Sequence, residues 1–166
     1  PNNGEIIAQN IASKLTELDP TNTNFYQTNL DNFLKQLSEK EQEWEKQMAP
    51  YRGTKIVTYH NSWPNFTKYF GLEVLGYVEP KPGIPPSPSH TLELIQLMKS
   101  NNVKIILMEP YFDIKTPQSI AEKTGAKVVV LPPSVGGEKE IVDYFSLFDY
   151  DLKLLIQAFK ETQVTK

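Results

Sequence analysis

Two runs, Ile105-Ile106-Leu107-Met108 and Val128-Val129-Val130-Leu131, contain no polar residue, and few architectures can use them. A strand wetted on one face alternates apolar and polar side chains, whereas an unbroken apolar run fits a strand covered on both faces, as in a parallel sheet. Around these runs the apolar spacing changes to that of helices. Ile56–Tyr59, Glu73–Tyr77, Val103–Met108 and Lys127–Leu131 read as strands. Trp63–Phe70, Thr91–Ser100 and Pro117–Thr124 read as the intervening helices, and Ile141–Phe159 as a closing one. Strands separated by helices call for right-handed crossovers, so the expected fold is α/β: a four-stranded, mainly parallel sheet with helices on both faces.

Residues 1–50 follow a different rule. Ile7, Ile11, Leu15 and Leu18 recur at helical spacing, predicting an amphipathic helix over about Asn3–Leu18. Asp19-Pro20 offers a cap and a proline suited to a first helical turn. From there Tyr26, Leu30, Phe33, Leu37, Trp44 and Met48 keep one stripe as far as Ala49-Pro50. At about 1.5 Å per residue that second helix is on the order of 40 Å long, enough to tie two lobes together. The division expected is therefore a helical segment over 1–50 and an α/β lobe over 51–166.

Charge narrows the partners. Seventeen Lys and Arg against 20 Asp and Glu give no broad positive field, so nucleic acid is not an expected partner. No stretch approaches the roughly 20 apolar residues of a bilayer span, and the opening residues lack a signal-peptide pattern. With no cysteine, any metal must be held by nitrogen and oxygen donors. The chain opens on Pro1 and enters a helical pattern almost at once, as a piece of something longer would.

Ligands of open α/β sheets gather outside the carboxyl ends of the strands. Three segments should meet there: His60, Glu109-Pro110, and Pro132-Pro133-Ser134-Val135-Gly136-Gly137. Neutral imidazole is a common metal ligand, and a carboxylate can coordinate or fix the other ring nitrogen. His60 also admits a plain hydrogen-bonded role, and Glu109 that of a loop acid capping backbone donors. His90 reads as an exposed helix-entry residue. Ser134 with Gly136-Gly137 reads as an anion cradle or as an ordinary turn. The loop Pro80–Pro88 should be stiff and extended, and Tyr111 and Phe112 could wall a cleft. Trp63, Phe66, Tyr69 and Phe70 read as core. No Gly-x-Ser-x-Gly elbow or Gly-x-Gly-x-x-Gly cradle is present, which weakens an enzyme reading built on His60 and Glu109 as an acid–base pair. An interaction module using the proline loop is a third reading.

Tyr51-Arg52-Gly53-Thr54-Lys55-Ile56-Val57-Thr58-Tyr59-His60-Asn61-Ser62-Trp63, Pro86-Ser87-Pro88 and Met108-Glu109-Pro110-Tyr111-Phe112 together resemble the solute-binding proteins of zinc and manganese ABC transporters. The resemblance implies two pseudo-symmetric α/β lobes joined by a long helix, with a metal ion between them, and this chain as the C-terminal lobe with that helix. It implies no enzyme activity. The position matching His60 supplies a metal ligand, as histidine in zinc-type members and often as glutamate in manganese-type ones. Two further histidines come from the N-terminal lobe, the second in a His-x-Trp-Leu-Asp-Pro segment whose last residue Pro1 matches. Both would precede this chain. The family commonly has an aspartate after the last strand, where this sequence has Pro132. Water, Glu109 or a loop acid such as Glu138 would then complete the shell, or the protein uses fewer ligands. Zn²⁺, with Mn²⁺ second, is the implied metal of the full-length protein, bound weakly or not at all by this piece. The implied partners are the missing N-terminal lobe and a membrane permease, and the implied location is periplasmic or membrane-anchored outside the cell. Without its other lobe the piece should expose the stripe of its first two helices and tend to self-associate.

Overall fold

The computed structural model describes residues 1–81 and 83–163; Pro82, in the proline loop, and 164–166 fall outside them. The chain divides into two compact units, Pro1–Lys46 and Gln47–Lys166. The first holds helix α1 (Asn2–Leu18), a 3₁₀ turn (Pro20–Asn22) and most of α2 (Thr23–Met48). At 26 residues, α2 is about 39 Å long. It starts at Thr23 rather than at Pro20 because Asp19 does not cap it. The Asp19 carboxylate instead accepts hydrogen bonds from the Asn22 amide (2.7 Å) and the Tyr26 hydroxyl (2.8 Å), which close the corner.

The second unit begins with a 3₁₀ turn (Ala49–Tyr51) and continues β1 (Lys55–Thr58), α3 (Pro64–Phe70), β2 (Glu73–Tyr77), α4 (Pro88–Ser100), β3 (Ile105–Met108), α5 (Lys115–Thr124), β4 (Lys127–Val130) and α6 (Tyr144–Glu161). All strand pairs are parallel, in the order β2-β1-β3-β4. Helix starts follow capping chemistry rather than apolar period. Helix α4 begins three residues before the expected Thr91, because the Ser87 hydroxyl accepts the His90 N–H (3.2 Å) and Pro88 fills the first turn. Helix α6 begins after the expected Ile141. Asp143 and Ser146 close a reciprocal capping box at its start, satisfying two amides that would otherwise lack partners.

Val57, Tyr59, Ile106 and Met108 share one core with Leu94, Ile95 and Met98 of α4 and Ile120 and Ala121 of α5. Alternate residues of a strand face opposite ways, so the buried Ile56, Ile105 and Leu107 face α3 and α6. Those two helices meet through the stacked rings of Phe66 and Phe148. Near the base of the lobe, Tyr51 stacks on Phe159 with centroids 4.6 Å apart.

One irregularity places the site. Partner numbers in the β1–β2 pair differ by 18 at Lys55↔Glu73 and Ile56↔Val74, then by 19 at Val57↔Gly76 and Thr58↔Tyr77. Leu75 is the extra residue of a bulge in β2. Beyond it Val78 N–H donates to the Thr58 carbonyl and Glu79 N–H to the Tyr59 carbonyl, both at 2.9 Å. The shifted register thus continues past both strands and sets Glu79, not Val78, beside His60.

Candidate metal centre

His60 stands where the ends of three neighbouring strands converge. Tyr59 N–H donates to the Leu107 carbonyl of β3 (2.7 Å), while Glu79 of the β2 extension bonds back to Tyr59. The Thr58 hydroxyl donates to the His60 carbonyl at 2.6 Å, which fixes the turn out of the strand. The imidazole is 6% exposed. It sits edge-on to the rings of Tyr59 and Phe112, with centroids 4.9 and 4.6 Å away, and Tyr59 and Phe112 stack on each other at 4.7 Å.

The hydrogen bonds decide which ring nitrogen is which. His60 Nδ1 lies 2.7 Å from the Glu79 carbonyl oxygen. A carbonyl only accepts, so Nδ1 carries the proton and, in the neutral ring, Nε2 carries the lone pair. That is the arrangement of a metal-ligating histidine, oriented through its other nitrogen. Glu79 Oε1 lies 4.0 Å from Nε2, and Glu79 Oε2 accepts the Tyr59 hydroxyl at 2.9 Å. Burial, with the hydrogen bond to Glu79 second, pushes the Tyr59 hydroxyl up to about 12. Tyr59 is therefore a donor throughout the ordinary pH range.

Glu79, 8% exposed, is the residue that sequence reasoning missed. It follows a strand and precedes a proline, as Glu109 does, but it falls between the expected strand Glu73–Tyr77 and the loop Pro80–Pro88, and neither gives it a role. Glu109 is wholly buried, and neither carboxylate oxygen has a hydrogen-bond partner among the described residues. No hydrogen bond or ion pair joins it to His60 among the described residues, so the acid–base pair is not assembled. Glu138 is exposed in the loop between β4 and α6, where its charge helps raise the Tyr150 hydroxyl, behind the effect of burial. Pro132 is buried and supplies no donor.

Other expectations change with the geometry. Gly136 N–H donates to the Ile141 carbonyl (2.9 Å) and Gly137 N–H to that of Ser134 (3.1 Å), so both amides are spent inside a turn and no anion cradle forms. His90 is half-buried rather than exposed, and its Nε2–H donates to the Tyr77 carbonyl at 2.9 Å. The proline loop is not extended throughout, since Ile84 N–H closes a turn onto the Lys81 carbonyl. Phe112 covers His60, while Tyr111 is 66% exposed. Among the described residues no three histidines or acids cluster as a complete metal site. What stands at the sheet edge is one histidine with one carboxylate, that of Glu79, 4.0 Å from its Nε2.

The model of the family described as zinc-uptake complex component A, periplasmic, matches residues 1–158. The chain belongs to that family. The high-affinity zinc uptake system protein ZnuA of Brucella abortus is 26% identical over 133 residues, 80% of this chain and 40% of its own length. A metal ABC transporter substrate-binding lipoprotein of Lactococcus lactis is 26% identical over 155 residues, 90% of this chain and 50% of its own. A crystal structure of ZnuA matches with a TM-score of 0.76 at 30% identity, covering 89% of this chain and 53% of that one. The chain thus spans about half the length of these relatives. The family is a solute-binding component of transporters, not an enzyme family.

Proposed function

We propose that this chain is the C-terminal lobe, with its connecting helix, of an extracytoplasmic solute-binding protein that captures zinc and hands it to an ABC transporter permease. Residues 1–50 are the end of the N-terminal lobe and the connecting helix, and 51–166 form the metal-binding lobe. The observation that carries this is the His60 imidazole, whose Nδ1–H is committed to the Glu79 carbonyl and whose Nε2 lone pair is left for a metal at the sheet edge. Zn²⁺ suits imidazole nitrogen, while Mn²⁺ takes more oxygen donors. Manganese is therefore the second cargo. Glu109 and Glu138 are auxiliary candidates; neither forms a hydrogen bond or ion pair with His60 among the described residues. The remaining nitrogen donors belong to the N-terminal lobe, the partner this lobe closes upon, and the protein works in a periplasm or anchored at an outer membrane face.

Calorimetric titration of the chain with zinc tests the reading. Weak binding that disappears in His60→Ala is the expected result, with manganese weaker still. Zinc binding of equal strength in the wild type and His60→Ala would overturn it.

A further inference from the structure

We infer that the Glu79 carboxylate is a second zinc ligand supplied by this lobe, taking up the acidic role that Pro132 cannot fill. The inference rests on His60 being a ligand, and it adds a donor that lies on a different strand from the aspartate of the wider family.

Which ring nitrogen the carboxylate approaches carries the argument. A carboxylate that merely orients a ligating histidine accepts from its N–H. Here that place is taken by the Glu79 backbone carbonyl, 2.7 Å from Nδ1. The Glu79 carboxylate approaches the other ring nitrogen, with Oε1 4.0 Å from Nε2. In the neutral ring both atoms are acceptors, and two acceptors face each other at low cost only when a cation lies between them. A proton on His60 is one such cation. A divalent metal is the other.

The spacing admits the metal. Zinc holds imidazole nitrogen and carboxylate oxygen each at about 2.1 Å, so two such donors stand about 3.4 Å apart at the tetrahedral angle and about 4.2 Å apart when opposed. The observed 4.0 Å lies between the two, so the carboxylate moves in by about 0.6 Å to reach the tetrahedral spacing. The two carboxylate oxygens are also differently used. Oε2 is held by the Tyr59 hydroxyl at 2.9 Å, whereas Oε1 accepts no hydrogen bond among the described residues. Tyr59 thereby orients Glu79 as the Glu79 carbonyl orients His60, and the β2 bulge that aligns Glu79 with His60 builds both contacts into the backbone. The half-site is one imidazole nitrogen and one carboxylate oxygen, a donor set that borderline zinc accepts.

The test is a zinc titration of the chain in four forms: wild type, His60→Ala, Glu79→Gln and Glu79→His. Expected are loss of binding in His60→Ala, an affinity about tenfold or more weaker in Glu79→Gln, and recovery in Glu79→His, since imidazole coordinates zinc where an amide does not. Glu79→Gln binding as tightly as wild type, with His60→Ala still defective, would overturn the inference and leave the His60 reading standing. Equal weakness in Glu79→Gln and Glu79→His would also overturn it, by making Glu79 a positioning residue. Unchanged binding in His60→Ala would sink both. A readout on the wild type alone covers the case of variants that fail to fold: the Glu79 carboxyl carbon and the His60 ring nitrogens should shift together in NMR as zinc is added, saturating at one concentration. Movement of His60 without Glu79 counts against the inference.

Discussion

Replacing Asp151 with asparagine should flatten a large pH dependence of stability. Asp151 lies on the buried stripe of α6 with Leu152, Leu155, Ala158 and Phe159, is 4% exposed, and its Oδ1 has no hydrogen-bond partner among the described residues. Burial pushes its carboxyl from 3.8 to about 8. A carboxyl whose folded-state value is raised binds its proton more tightly when folded. Its contribution is therefore fully present below about pH 4, is lost progressively as pH rises, and is gone above about pH 8. At about 1.4 kcal/mol per unit, the shift is worth on the order of 6 kcal/mol, comparable to the whole stability of an ordinary domain. Urea unfolding of wild type and Asp151→Asn at intervals from pH 4 to pH 8.5 isolates the effect, because the other titrating groups cancel in the difference. The variant should gain several kcal/mol on the wild type across that range and be the more stable protein at its alkaline end. Stability curves that run parallel within about 1 kcal/mol, or an Asp151 carboxyl carbon titrating near pH 4 in NMR, would refute the reasoning.

Other consequences follow from packing and capping. Asp143→Ala removes half of the capping box at the start of α6 and should cost about 0.5–2 kcal/mol in urea unfolding. A Cβ at Gly76, next to the bulge, would lie 3.0 Å from Leu94 Cδ1 and 3.4 Å from Leu97 Cδ2. Gly76→Val should therefore overpack the α4 contact and cost about 1–3 kcal/mol, with wild-type stability in the variant counting against that packing. Ile7, Ile11 and Leu18 of α1 are exposed, so the chain should associate as its concentration rises. The double variant Ile7→Ser, Leu18→Ser should stay monomeric in sedimentation at concentrations where the wild type does not.

How far the sequence could be read depended on which force set each feature. Burial on both faces leaves a compositional mark, so Ile105–Met108 and Val128–Val130 declared themselves as strands, and the alternation with helices implied parallel pairing. Helix starts are set by single hydrogen bonds, and the apolar period misplaced them: Ser87 moved α4 forward, Asp143 moved α6 back, and Asp19 spent its carboxylate on Asn22 and Tyr26 instead of capping α2. His60 was legible because a histidine directly after a strand is conspicuous. Glu79 was not. Its neighbour in space depends on strand order and register, and neither appears in residue spacing. Asp151 was also passed over, since an acid at a core position of a helix reads as surface until the helix is docked.

The bulge at Leu75 shows why the proposed second ligand was the residue that spacing hid. With the register of Lys55↔Glu73 carried forward, His60 would pair with Val78, which carries no acid. One inserted residue replaces that valine with Glu79 and sends Val78 into the α4–α5 core, where it is fully buried. The same insertion brings the Glu79 carbonyl to Nδ1 and its carboxylate to within 4.0 Å of Nε2, so one residue fixes the tautomer and sets an acid near the other nitrogen. Bulges re-aim side chains beside functional sites. In this lobe the bulge joins an orienting contact and a charged donor in a single residue, so Pro132 at the end of the sheet leaves the edge with an acid beside its histidine.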